Sequence, residues 1–109
     1  MNLENSARVF KALCDEKRLG ILQLLLDGEK CACVLLEKLN FTQSGLSYQM
    51  KILCESGLVK GRREGKWVHY SIDRQACHKA ADLLLELTGA NLDNLSGNEC
   101  CCNREERED

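Results

Sequence analysis

The sequence predicts a mainly α-helical domain of five helices with one two-stranded β-hairpin, and three observations carry that prediction. Apolar residues recur at spacings of three and four through most of the chain, the mark of helices with one buried stripe. The period changes once, between Leu58 and Ile72, where two short runs flank Glu64-Gly65-Lys66. The length of 109 residues fits one domain. A core of that size buries only about two-thirds of the unfolded chain's surface, so a partner chain would add to its stability.

Leu3, Ala7, Phe10 and Leu13 give the first helix its stripe. Asp15 is placed to cap a second helix, with Leu19, Ile21, Leu22, Leu24, Leu25 and Leu26 around much of its circumference. That makes it central, and Gly28 ends it. A short third helix runs from Val34 to Leu39 and closes at Asn40. Thr42 caps a fourth, Gln43 to Ser56, with Leu46, Met50, Leu53 and Cys54 facing inward and Gly57 as its stop. Leu58–Arg63 and Trp67–Ile72 make the hairpin. Asp73 caps a last long helix with Ala76, Ala80, Leu83, Leu84 and Leu87 on one side. After Gly89 the sequence turns polar. The expected division is a folded body over residues 1–90 and a flexible, acidic, cysteine-containing tail over 91–109.

With 44% hydrophobic and 29% charged residues the chain is neither disordered nor collagen-like. No apolar run approaches the roughly 18–20 residues that span a bilayer. Residues 1–8 show no basic stretch leading into an apolar one, so no signal peptide is expected, and no membrane partner. The expected location is the cytoplasm, where thiols stay reduced. The eight cysteines then read as ligands, redox sensors or core fillers rather than disulfides. Residues 1–80 carry 13 basic and 9 acidic side chains, and residues 81–109 carry 2 basic and 8 acidic. A weakly basic body admits an anionic partner.

Two helices joined by a tight turn and followed by a basic hairpin describe a winged helix-turn-helix, whose second helix enters a DNA major groove while the hairpin reaches the flanking backbone. The helix beginning at Gln43 offers Gln43, Ser44, Ser47, Tyr48, Gln49 and Lys51, groups able to contact base edges or phosphates. Gly45 adds no bulk and allows close approach. Between Lys51 and Lys66 stand five basic and two acidic residues, and Arg62, Arg63 and Lys66 suit a phosphate-anchoring wing. The expected partner is double-stranded operator DNA. No nucleophile elbow, phosphate-cradling glycine loop or His–carboxylate motif is present, so no catalytic residues and no enzyme activity are expected.

The stretch Phe10–Leu22, with Cys14-Asp15-Glu16-Lys17-Arg18-Leu19 inside it, resembles the opening of the ArsR/SmtB family of metal-responsive repressors. Gln43–Leu53 followed by Gly57-Leu58-Val59 resembles that family's recognition helix and first wing strand, and Arg62–Tyr70 its wing. The likeness runs in unbroken register over residues 7–75. It implies a winged-helix homodimer, held by the first and last helices, that represses by occupying its operator. Glu16 stands where a proline is common, and Gln49 where a histidine is frequent.

Lys30-Cys31-Ala32-Cys33-Val34-Leu35-Leu36 resembles the family's thiol motif, with Leu36 at the place where arsenic sensors often carry a third cysteine. Two thiols two residues apart in a regular helix point roughly 200° apart, so Cys31 and Cys33 share an ion only at a frayed helix start or in an extended lead-in. A helix N-terminus is also expected to lower their pKa. Trivalent arsenic or antimony prefers three thiolates, and soft ligands also suit cadmium, lead and zinc. Cys100, Cys101 and Cys102 are placed to supply the missing sulfur from either chain of a dimer, or to hold an ion by themselves.

The expected function is an arsenic- or antimony-responsive repressor with no permanent cofactor. The alternatives are a cadmium- or lead-responsive repressor, a thiol-redox-responsive one, or a thiol-rich module whose helix-turn-helix is vestigial. Cys14 and Cys54 read as core. Cys77 and His78 suggest zinc, but the family's histidine-rich site on the last helix has only Asp73 here, with Gln75 in place of its first histidine.

Overall fold

The computed structural model describes residues 2–95; Cys100, Cys101 and Cys102 lie outside the described residues with the rest of 96–109. Among the described residues there are five α-helices: α1 Leu3–Ala12, α2 Glu16–Leu24, α3 Ala32–Leu39, α4 Gln43–Ser56 and α5 Arg74–Thr88. Each begins on a side chain that accepts from an otherwise orphaned backbone N–H: Asn2, Asp15, Cys31, Thr42 and Asp73 in chain order. Asn40, Gly57 and Gly89 close α3, α4 and α5 in the left-handed conformation.

The strands are β1 Lys30–Cys31, β2 Val59–Glu64 and β3 Trp67–Ile72, in the antiparallel order β1-β3-β2. The sheet therefore has three strands where the sequence predicts two. Two residues carry no detectable period, and β1 exists because Lys30 and Cys31 pair with Tyr70 and His69 of the hairpin. The predicted end of α2 at Gly28 is also displaced. The helix proper stops at Leu24; the Leu25 N–H is shared between the carbonyls of Ile21 and Leu22, and Leu26 and Gly28 continue as tighter turns bonded three residues back. α3 starts two residues earlier than expected, at Ala32, and a 3-10 segment, Ala90–Leu95, follows Gly89 where only polar chain was foreseen.

The core is built from Ile21, Leu25, Leu35, Leu46, Met50 and Leu53, with Ala12, Leu58 and Val59 around them. The inward positions of α4 are thus as the periodicity predicts, with Cys54 half-buried at their edge. Cys14 is exposed, not core, because it lies in the turn between α1 and α2. α5 packs only partly: none of its residues is buried, and Leu84, Leu85 and Leu87 are exposed. No helix among the described residues is long and apolar enough to cross a membrane.

Leu53 is wholly buried. Leu53→Ala is expected to cost about 2–5 kcal/mol of unfolding free energy, measured by urea titration at fixed chain concentration. A loss below about 1 kcal/mol would contradict its central place.

Candidate nucleic-acid interface and thiol pair

The exposed face of α4 is set by its cap. Thr42 Oγ1 accepts the Gly45 N–H at 3.0 Å, and a Cβ on Gly45 would stand 2.9 Å from that oxygen. Gly45 therefore makes room for the cap itself. Gln43, Ser44, Ser47, Tyr48 and Lys51 are exposed, Tyr48 by 61%. They form a polar strip with one aromatic and one cation, the chemistry that reads base edges and phosphates.

Gln49 is not part of that strip. It is only 8% exposed, and its Oε1 accepts a 2.6 Å hydrogen bond from the buried Arg18 guanidinium. Position 49 is three residues after Leu46, on the inward side of the helix, so a partner for its amide had to come from another element. Arg18 also donates to the carbonyls of Ala12 and Lys11, and Asp15 stands 3.6 Å away. Sequence reasoning missed Arg18 because nothing local marks an arginine for burial.

The wing turns at Gly65-Lys66, with Gly65 at φ +63°. Arg63 and Lys66 are exposed and make no ion pair among the described residues. Arg62 is committed. Its Nε and one terminal nitrogen donate to the two carboxylate oxygens of Glu29 at 3.1 and 2.7 Å, and its other nitrogen lies 3.4 Å from Glu64. The guanidinium hydrogen bonds hold the Glu29 carboxyl below the usual carboxylate range. His69 Nε2 is 3.3 Å from Glu64. Gln43 and Ser47 of α4 and Lys66 and Trp67 of the wing line one cavity of about 140 Å³, so these parts of the interface adjoin.

The two thiols converge. Cys31 is extended, with φ −72° and ψ 147°, and caps α3, its Sγ accepting the Cys33 N–H at 3.5 Å. The Cys33 thiol donates to Cys31 Sγ at 2.9 Å. Of the two geometries that bring them together, the extended lead-in is the one present, fixed by the pairing of β1 with β3. The expected lowering of thiol pKa is not found at Cys33. The hydrogen bond to Cys31 pushes that thiol up, outweighing the backbone N–H groups of the helix start.

Among the described residues no group of three or more His, Cys, Asp or Glu is arranged to hold a metal ion. Cys54 and Cys77 are half-buried with their thiols pushed up by burial.

Residues 15–60 match the model of the bacterial regulatory protein family arsR. The arsenical resistance operon repressor of Staphylococcus aureus is 36% identical over 102 residues, covering 94% of this chain and 92% of that protein. That of Escherichia coli K12 is 42% identical over 80 residues, covering 72% and 68%. A homodimeric winged helix-turn-helix DNA-binding domain from Mycobacterium bovis, solved in solution, superposes with a TM-score of 0.65 at 28% identity over 90% of each chain.

Gln49→Ala is expected to destabilise the fold by about 1–3 kcal/mol, because the buried guanidinium loses an acceptor. Tyr48→Ala is expected to leave unfolding within about 0.5 kcal/mol of the parent. Paired thermal and urea melts check both, and the reverse order would return Gln49 to the outer face.

Proposed function

This chain belongs to the ArsR family of bacterial regulatory proteins, DNA-binding transcriptional repressors rather than enzymes, and from that premise we propose that it is a homodimer that releases operator DNA on capturing trivalent arsenic or antimony. The observation that carries the ion is the 2.9 Å approach of the Cys31 and Cys33 sulfurs at the start of α3. Two thiolates side by side suit a soft, thiophilic ion, and a trivalent metalloid takes a third. One of Cys100, Cys101 and Cys102, in the segment 91–109, supplies it. The arsenical resistance repressors it resembles support the choice of metalloid.

In this reading Gln43, Ser44, Ser47, Tyr48 and Lys51 enter the major groove, and Arg63 and Lys66 anchor phosphates, with Gly45 shaping the cap. The exposed Leu84, Leu85 and Leu87 on α5 and Leu3 on α1 support a dimer that covers them. The family's role fits action in the cytoplasm. α3 carries the thiols at one end and at the other, through Asn40, Phe41 and Thr42, turns into α4. Ion capture therefore acts on the helix that leads, through one short turn, into the groove-entering helix. DNA weakens ion binding by the same factor that the ion weakens DNA binding.

Cys33→Ser is expected to bind DNA with unchanged affinity and to lose release by arsenite or antimonite. The measurement is fluorescence anisotropy of a labelled duplex from upstream of the chain's own coding sequence, under reducing conditions, with arsenite, antimonite, cadmium, lead and zinc titrated separately. Release of the Cys33→Ser protein at the parent's arsenite concentration would remove Cys33 from the site. Release of the parent by cadmium or lead alone would keep the repressor and replace the metalloid.

A further inference from the structure

We propose that Glu29 is a positioning residue for DNA binding, its carboxylate standing in for a DNA phosphate on Arg62 and withholding that wing cation until DNA displaces it. The inference rests on the DNA-binding reading and adds to it a residue that lies outside both the groove-entering helix and the wing.

The geometry is that of phosphate recognition. Two guanidinium nitrogens meet two carboxylate oxygens at 3.1 and 2.7 Å, the forked arrangement that arginine also makes with phosphate. Arg62 cannot present that fork to DNA while Glu29 holds it. Its two basic neighbours differ, since Arg63 and Lys66 have no acidic partner among the described residues. The wing thus carries three open cations, Lys60, Arg63 and Lys66, and one that is held.

The hold is soft. Arg62 is 54% exposed and Glu29 37%, and ion pairs so exposed to water contribute little. A DNA backbone, with one charge per ~1.7 Å of duplex axis, outcompetes a single carboxylate. Glu29 is therefore a competitor that costs affinity without preventing binding. Its position is maintained by the backbone, because Lys30 and Cys31, next in sequence, pair with Tyr70 and His69 of the strand beside Arg62.

The test is a double-mutant cycle of Glu29→Gln, Arg62→Gln and both together, read by anisotropy of the same upstream duplex over a range of KCl concentrations. Glu29→Gln is expected to tighten binding about two- to fivefold, the scale of an exposed pair. Arg62→Gln is expected to weaken binding, and the Glu29→Gln gain is expected to vanish in its background. An equal gain with and without Arg62 would mean that Glu29 merely repels DNA, and no gain at all would mean that it does not compete; either result overturns the proposal. A parent protein with no salt-dependent binding would overturn the DNA-binding reading and this inference with it.

Discussion

A guanidinium taken out of water at the junction of three helices is the interaction on which the orientation of α4 depends. Arg18 is 5% exposed, and an unpaired charge so placed costs several kcal/mol. Its hydrogen bonds answer that cost from three directions: the carbonyls of Lys11 and Ala12 at the end of α1, and Gln49 Oε1 on α4. The end of α1 is the negative end of a helix dipole, a favourable place for a cation. Asp15, which caps α2, stands beside the same group. Satisfying one buried arginine thereby fixes α1, α2 and α4 as a block. Because Gln49 is held inward, the positions on either side of it in the helical turn, Ser47, Tyr48 and Lys51, are turned out.

The thiol-bearing segment is attached to that block in two places. Through α3 and the turn at Asn40 it reaches the start of α4, and through β1 it reaches β3 and the wing. Cys31, His69 and Arg62 lie in register across the sheet, so the pleat sets their side chains on one face. In the proposed mechanism both DNA-contacting parts are then one element away from the ion. That closeness does not itself produce coupling. An ion shifts the equilibrium only by binding one arrangement better than the other, and typical coupling of ~1–3 kcal/mol requires only modest differences at each attachment. A backbone pairing two residues long suits this, since little must be broken for it to change.

Much of the fold was legible because its signals are local. Both ends of α4 follow from Thr42 and Gly57, and its inward positions from the spacing of Leu46, Met50 and Leu53. The ends of α3 and α5 at Asn40 and Gly89 follow in the same way. What was not legible depends on residues far apart in sequence. Gln49 looks like a groove-reading amide until Arg18, 31 residues earlier, is seen to bury it. Arg62 looks like a free phosphate anchor until Glu29, 33 residues earlier, is seen to hold it. β1 has no pattern of its own and exists only as a complement to β3. Periodicity also shows that α5 is amphipathic without showing what covers it, because an apolar stripe is the same whether its partner is its own core or another chain.

The way α3 begins brings stability and ion chemistry into conflict at one atom. The other four α-helices are capped by side-chain oxygens at 2.8–3.1 Å from the N–H they accept. α3 is capped by sulfur, Cys31 Sγ at 3.5 Å from the Cys33 N–H. Sulfur is a weak acceptor, and oxygen caps stabilise a helix by ~1 kcal/mol over residues without one, so this side-chain cap is the weakest of the five. An Asp, Ser or Thr at position 31 would hold it better and would bind a soft ion worse, because hard oxygen donors suit magnesium or calcium rather than arsenic. In the proposed reading the same sulfur that caps the helix becomes a ligand, and capture displaces the Cys33 thiol proton, replacing its hydrogen bond to Cys31 Sγ with bonds to the ion. In that reading the exchange takes place at the first turn of α3, whose far end leads into α4.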